Sequence, residues 1–192
     1  MLERVHPDRI MPAKVILYIA STLDGYIATE DGGIDWLTSY EGDHGYEELM
    51  ARTGALAMGS GTYAFFDDQE DWAYPDQPTW VFTSRELRTF EGADIRFTDR
   101  TPAEVIDEIR ESAGGKDVWL VGGGLLATRF LRDGLVDEIQ HFVVPKALAK
   151  GIPMFTEPVL DAFDIEEAKV WPSGIVELRY KPKLSGGEDE AE

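Results

Sequence analysis

The 192-residue sequence contains no cysteine, only three histidines, and 18 basic residues against 37 acidic ones. Without cysteine, disulfide bonds, thiolate metal sites and thiol catalysis are excluded. The histidines, His6, His44 and His141, lack the spacing of a metal site, so no metal is expected. No apolar run is long enough to cross a bilayer, and residues 1–12 lack the apolar segment of a signal peptide. We therefore expect a cytoplasmic protein.

Acidic residues dominate the charge, which is −19 at pH 7. A field of this sign repels nucleic acid and anionic membranes, so neither is expected as a partner. Two interpretations fit it equally well: adaptation to high salt, where repulsion between carboxylates is screened, or an ordinary acidic protein.

The composition predicts one domain with short flanking segments. Hydrophobic residues make up 43% of the sequence, which is enough for a folded core over residues 13–183. Residues 1–12 are interpreted as a flexible extension, with either Met1 or Met11 as the start of translation. Residues 184–192 are interpreted as a disordered acidic tail.

Short apolar segments alternate with helical patterns along most of the chain. Strands are expected at residues 14–20, 55–58, 79–82, 94–97, 118–121 and 136–144, with an antiparallel pair at 165–171 and 175–180. Helices are expected at residues 43–52 and 125–132, and from the capping box at Thr101. Residues 22–38 and 67–78 are expected to be loops. The order predicts an α/β fold in three layers, with a mixed, mostly parallel sheet between helices.

A triple glycine follows the strand predicted at residues 118–121. Gly122-Gly123-Gly124 leads into a predicted helix, and such a turn presents backbone N–H groups that hold phosphate. A tight turn without a ligand is an equally good interpretation, because the spaced dinucleotide fingerprint is absent.

Two further turns follow predicted strands. Gly59-Ser60-Gly61-Thr62 combines glycines with two hydroxyls, although capping the next helix needs only one hydroxyl. Ser84-Arg85 offers a hydroxyl and a guanidinium suited to a ribose 2′-phosphate, although a solvated arginine is the commoner outcome. Since the carboxyl ends of parallel strands share one edge of a sheet, we expect the three turns to converge on one ligand.

With a nicotinamide dinucleotide as the ligand of these turns, the segment at residues 21–28, which contains the turn Asp24-Gly25, is interpreted as the part of the site where hydride transfer takes place. Ile27 is expected to pack against a nicotinamide ring, and Asp35 with Trp36 to line the substrate side. A reductase needs at most one proton donor, because the hydride comes from the cofactor. The candidate donors are Asp24, Asp35 and Asp67.

Together these segments resemble the dihydrofolate reductase-like superfamily, and within it the RibD C-terminal (riboflavin-biosynthesis pyrimidine reductase) branch. The resemblance runs over about residues 14–180, and its motifs are specific only in combination. They are Ser21-Thr22-Leu23-Asp24-Gly25-Tyr26-Ile27-Ala28, Asp35-Trp36-Leu37-Thr38, Met58-Gly59-Ser60-Gly61-Thr62, Thr83-Ser84-Arg85 and Val121-Gly122-Gly123-Gly124-Leu125, with residues 134–138 and Pro145 downstream.

The resemblance implies a dihydrofolate reductase-like fold with NADPH bound across the strand ends. It implies that Gly122, Gly123, Gly124 and Leu125 face the pyrophosphate, and that Val121 belongs to the coenzyme site. It further implies that residues 59–62 face the adenosine-side phosphates, that Ser84 and Arg85 face the 2′-phosphate, and that Ala20 and Ile27 contribute to the coenzyme site. A homodimer paired through sheet elements is also implied.

The preferred hypothesis is an NADPH-dependent reductase that transfers hydride to a C=N or similar electrophile of a pterin- or pyrimidine-like heterocycle. Asp24 is the candidate catalytic residue. Tyr26 stands where riboflavin-pathway reductases usually carry a basic residue, which removes a contact for a phosphorylated substrate. The alternatives are a catalytically silent nucleotide sensor and a genuine dihydrofolate reductase, in which Glu47 or Glu48 would hold the pterin.

Overall fold

The computed structural model describes residues 13–160 and 163–183. Its strands are β1 (Val15–Thr22), β2 (Tyr26–Ala28), β3 (Thr53–Gly59), β4 (Thr79–Phe82), β5 (Ile95–Thr98), β6 (Asp117–Gly122), β7 (Glu138–Val144), β8 (Ile152–Pro153), β9 (Phe163–Val170) and β10 (Val176–Pro182). Its helices are α1 (Tyr46–Arg52), α2 (Ser60–Tyr63), α3 (Pro102–Ser112) and α4 (Gly124–Arg132), with a 3-10 turn at Ala64–Phe66.

Eight of these strands form one sheet in the order β5-β4-β3-β6-β1-β7-β10-β9. The six strands from β5 to β7 run parallel, while β10 is antiparallel to both β7 and β9. The predicted mixed, mostly parallel sheet with an antiparallel edge is therefore confirmed.

Helices and long loops cover the two faces of the parallel part of the sheet. α3 and α4 pack on one face, through residues such as Ile109 and Phe130. α1, α2 and the loop at residues 67–78 pack on the other face, where Leu49 and Tyr63 are buried. Burial on both faces explains why the parallel strands are continuously apolar rather than alternating.

Local hydrogen bonds define the start of α3 and the end of α4. The backbone N–H of Thr101 donates to the Glu104 carboxylate at 2.8 Å, which completes the predicted capping box. After α4, Gly134 adopts a positive φ of 66° and the N–H of Leu135 donates to the carbonyl of Phe130 at 2.9 Å. Together with the N–H of Gly134, which donates to the carbonyl of Leu131 at 3.0 Å, this bond forms a Schellman motif that ends the helix.

Three details differ from the sequence-based expectation. Residues 22–38 are not all loop, because β2 pairs there with β8, a two-residue strand that the sequence did not signal. α1 begins at Tyr46 rather than at residue 43, since the Asp43 carboxylate accepts the N–H groups of Gly45 and Glu47 at 2.9 and 2.8 Å. The helix after Gly59 has only four residues before the 3-10 turn.

The predicted N-terminal extension at residues 1–12 and the acidic tail at residues 184–192 lie outside the described residues. Within residues 13–160 and 163–183, every helix is too short or too polar to span a membrane.

Candidate active site

Three predicted turns lie at one edge of the sheet. They follow β3, β4 and β6, which are adjacent and parallel, so their carboxyl ends point the same way. A Cβ built on Gly59 would lie 3.9 Å from both the carbonyl oxygen of Gly122 and the backbone nitrogen of Gly123. The first and third turns therefore face each other directly.

The chain leaves this edge after β6 toward one face of the sheet, and after both neighbours of β6, β1 and β3, toward the other face. The connections after β1 and β3 pass over the α1 face, whereas the connection after β6 forms α4 on the other face. Such a reversal opens a crevice beyond the strand ends, which is where ligands bind in open α/β sheets.

The crevice between β1 and β6 is deepened because their pairing ends early. The last registered pair is Leu17 with Leu120, although β1 continues to Thr22 and stays paired with β7 over its full length. Alternation along a parallel strand turns the N–H and C=O of Ala20 toward the β6 side, beyond that last pair. Ala20 thus presents one backbone donor and one acceptor to a ligand in the crevice.

The glycine turn contains two glycines with different roles. We call the space beside the backbone of Gly122, Gly123 and the first turn of α4 the glycine cradle. A Cβ built on Gly123 would lie 3.6 Å from Ile27 Cδ1 and 3.7 Å from Thr62 Oγ1, so it would occupy this cradle without a steric clash. A Cβ on Gly124 would lie 2.2 Å from the carbonyl oxygen of Pro153, so that glycine is required for packing against β8. The Gly122–Gly123 peptide bond is cis.

The N-terminus of α4 opens onto the same cradle. Its N-cap is Gly123, and no side chain caps its first N–H groups. Together with the helix dipole, these N–H groups suit an anion. Leu125 in the first turn is 51% exposed, whereas Val121 and Ser60 are half-buried.

Ser84 and Arg85 lie exposed beyond the end of β4. The backbone N–H of Arg85 donates to Thr83 Oγ1 at 3.0 Å. Within the described residues its guanidinium makes no ion pair, whereas that of Arg88 donates to the carbonyls of Asp67 and Gln69. Arg85 is thus available to an anion at this edge.

The Asp24 carboxylate is committed to a set of hydrogen bonds. It accepts Thr22 Oγ1 at 2.6 Å and the backbone N–H groups of Leu148 and Ala149 at 3.1 and 2.7 Å. The bond from Thr22, with those from Ala149 and Leu148, holds the pKa of Asp24 below its ordinary value. An ionised carboxylate is a poor proton donor, and its bonds fasten the turn before Ile27 to the loop after β7.

The other acids and the tryptophan of the predicted site differ in burial. Trp36 is buried against Phe142, Val144 and Ile175, where it supports Ala20 from behind rather than forming an open wall. Asp35 and Asp67 are exposed on loops.

Four further residues near the crevice were missed in the sequence. Tyr18, Tyr46 and Tyr74 pack edge-on against Trp119, with ring centroids 6.1, 5.8 and 5.6 Å away. We call these four residues the aromatic cluster. Tyr18 lies in β1 and Trp119 in β6, and the continuous apolar sequences of these strands do not indicate which face of the sheet each side chain occupies. Tyr46 lies on α1 and Tyr74 in the loop at residues 67–78.

Comparison with known proteins gives sequence relatives of two kinds. The uncharacterized protein YwjB of Bacillus subtilis is 32% identical over 150 residues, covering 77% of this chain and 85% of the relative. The riboflavin biosynthesis protein RibD of Corynebacterium ammoniagenes is 29% identical over 174 residues, covering 80% of this chain and 52% of RibD. The chain thus spans about half the length of that RibD relative.

Solved structures share the fold. A protein of Shewanella sp. PV-4, assigned provisionally to riboflavin biosynthesis, has a TM-score of 0.77 at 27% identity, covering 89% of this chain and 99% of its own. Dihydrofolate reductase of Enterococcus faecalis, complexed with NADP(H), has a TM-score of 0.62 at 15% identity, covering 89% and 97%. The latter likeness concerns the fold alone.

The family profile described as the RibD C-terminal domain matches residues 13–176, nearly the whole described chain. This family supports a reductase-type enzyme, in agreement with the resemblance found in the sequence. The chain belongs to the RibD C-terminal domain family.

Proposed function

We propose that the protein is an NADPH-dependent reductase acting on a C=N or similar bond of a small pterin- or pyrimidine-like heterocycle. The observation that carries the proposal is the β1–β6 crevice, where unpaired backbone of β1 meets a glycine cradle and an uncapped helix N-terminus. Family membership supports the same reaction type.

The residues around the crevice fit the parts of this coenzyme. The backbone of Gly122 and Gly123 with the first turn of α4 suits the pyrophosphate, flanked by Ser60 and Thr62. Ser84 and Arg85 suit the 2′-phosphate, since a guanidinium binds phosphate in a fork geometry. The donor and acceptor of Ala20 match a carboxamide. When bound, NADPH would supply the hydride and its two electrons.

The reduction also needs one proton at the substrate nitrogen. We assign this proton to an ordered water rather than to Asp24, whose carboxylate stays ionised in its hydrogen bonds. Asp24 then acts as a positioning residue, holding Ile27 and the β1 end in place.

One observation favours a second candidate, a nucleotide sensor without turnover. Hydrogen bonds lower the pKa of the Asp24 carboxylate, the acid next to the crevice, and a lowered pKa does not suit a general acid. Steady oxidation of NADPH with a panel of pterins and pyrimidines distinguishes the two: turnover supports the reductase, and binding without turnover supports the sensor.

The coenzyme assignment is tested by thermal shift with NADPH and NADH on wild type and Arg85→Ala. We expect NADPH to raise the melting temperature, because a ligand that prefers the native state stabilises it. The substitution should weaken NADPH by about 1.5–3 kcal/mol, the range for a hydrogen bond to a charged group. NADH should bind as before. Arg129→Ala, an exposed position in the last turn of α4, is the control. Equal loss for both coenzymes would remove the 2′-phosphate assignment.

We also propose a homodimer formed through the sheet. β9 and β10 place Ile165, Val170 and Leu178 on the face toward α3 and α4, but the helices do not extend over them. Ile165 and Val170 are 61% and 73% exposed. The side chains that β9 and β10 place on this face carry no charge, so a second copy with the same negative field meets little repulsion from them.

A further inference from the structure

The aromatic cluster lies where a ring projecting from the crevice on the α1 face would meet it. Tyr18 directly follows the last registered pair of β1 with β6, and the indole N–H of Trp119 donates to its carbonyl at 3.4 Å. Tyr46 is the outer member, 38% exposed, while Trp119 is 6% exposed. Aromatic rings suit a flat heterocycle, which they contact by packing. The hydroxyl of Tyr18 already donates to the carbonyl of His44 at 3.2 Å, so packing is the main contact.

The layer of chain over this face is almost entirely negative. Residues 30–78 contain twelve Asp and Glu residues and one basic residue, Arg52. Arg52 is paired with Asp117 at 2.6 Å, at the opposite edge of the sheet. On the site side, burial and the nearby charges of Asp43 and Glu177 raise the pKa of Tyr18, so the phenol stays protonated among carboxylates.

The cations that bond to the loops of this layer are already hydrogen-bonded. Arg88 donates to two backbone carbonyls of residues 67–69 at 2.7 and 3.0 Å. Lys146 donates to the carbonyl of Trp36 and to the hydroxyl of Ser39, both at 2.9 Å. A phosphate group needs free Arg or Lys donors or a run of free N–H groups, and a position among carboxylates disfavours it. The glycine cradle supplies such N–H groups only on the coenzyme side.

Resting on the reductase function proposed above, we propose that the substrate is a planar heteroaromatic compound without a phosphate group, neutral or positively charged. The aromatic cluster provides its binding surface, and the acidic layer of residues 30–78 excludes phosphorylated analogues. The aromatic cluster attracts the substrate ring, and the acidic layer repels a phosphate attached to that ring. Both contribute to substrate selection, because specificity is a difference of affinities.

The test uses riboflavin and its 5′-phosphate, two ligands that share a flat heterocycle and differ by one phosphate. Binding is followed by quenching of tryptophan fluorescence in protein saturated with NADP⁺. We expect riboflavin to bind roughly tenfold more tightly at low salt, as expected for like charges several ångströms apart near a protein surface. The preference should shrink toward 1 M salt, where the screening length falls to about 3 Å. Equal or tighter binding of the phosphate, a preference unaffected by salt, or binding of neither flavin overturns the inference.

Three variants separate the contributions of charge and ring. Asp43→Asn should reduce the preference for riboflavin over its 5′-phosphate. Asp107→Asn, at an exposed position on α3 on the other side of the sheet, should leave this preference unchanged. Tyr46→Ala should weaken both flavins, and Tyr46→Phe should restore most of the affinity because the ring is retained. Equal effects of Asp43→Asn and Asp107→Asn would contradict the charge argument. NADPH thermal shifts are measured on the same samples: their loss would sink the proposed function, whereas intact shifts with a preference for phosphate would sink this inference alone.

Discussion

The two halves of the sheet differ in how they are covered. In the parallel half, Val15, Leu56 and Leu120 are completely buried, because helices or loops pack on both faces. In the antiparallel half, Ile165 and Val170 are more than half exposed, although they too are apolar and lie on the face that the helices cover elsewhere.

This difference assigns separate tasks to the two halves. The covered half places the ends of β3, β4 and β6 side by side, so that the three turns after them lie at one edge of the sheet. The half-covered edge exposes apolar side chains that neither α3 nor α4 covers. We therefore expect ligand binding to depend on the first half and association on the second. The first two of the following experiments test that separation, and the third measures stability at the boundary between the halves.

The largest effect is expected from charging the uncovered face. Ile165→Glu with Val170→Glu should convert the proposed dimer into monomer, because burying unpaired charges at an interface costs several kcal/mol. Sedimentation velocity gives the mass. Ala73→Glu with Ala103→Glu, which adds the same charge at exposed positions elsewhere, should leave it unchanged. A monomeric wild type would refute the dimer, and loss of NADPH binding in the Ile165/Val170 variant would refute the separation.

Filling the glycine cradle should affect the other half only. Gly123→Val should weaken NADPH by about 100-fold or more, equivalent to about 2.7 kcal/mol, because the side chain occupies the cradle. Gly123→Ala should have a smaller effect, since its Cβ meets Ile27 and Thr62 at ordinary contact distances. Titration calorimetry measures the affinity, and the urea midpoint shows whether the variants remain folded. Unchanged affinity in a folded Gly123→Val protein would eliminate the cradle.

A smaller effect is expected from pH at the boundary between the halves. His141 in β7 lies beside a cavity of about 390 Å³ next to β10, and hydrogen-bonds Ser21 Oγ at 2.7 Å. Burial lowers the pKa of His141 to about 4. At a pH between about 4 and the ordinary histidine pKa of about 6.5, the folded state therefore binds fewer protons than the unfolded state.

This contribution to stability is complete above about pH 6.5 and is lost as the pH falls toward 4. We expect it to reach about 2 kcal/mol, after allowance for the partial exposure of the ring. Urea unfolding of wild type and His141→Gln at several pH values measures it, and the variant should show a flatter profile below pH 6.5. If the unfolding free energies of wild type and His141→Gln change with pH in the same way, His141 has the same pKa in the folded and unfolded states.

Local signals in the sequence predicted the strands and turns of the parallel half. The apolar run at residues 14–20 and the glycines after β3 and β6 each specify a buried strand or a tight turn by themselves. The aromatic cluster was not predicted, because its four rings come from separate segments and meet only through the strand order. β8 and the packing role of Gly124 were missed for the same reason: two residues carry no periodicity, and the contact with Pro153 is long-range.

The early end of the β1–β6 pairing has a consequence for how this protein can change. The groups exposed there belong to the main chain of Ala20 and its neighbours, which no ordinary side-chain replacement deletes. The rings around them, by contrast, belong to side chains, which a single substitution replaces. Under the reductase function proposed above, such an arrangement keeps the groups that hold the hydride donor constant while the groups that contact the reduced molecule change.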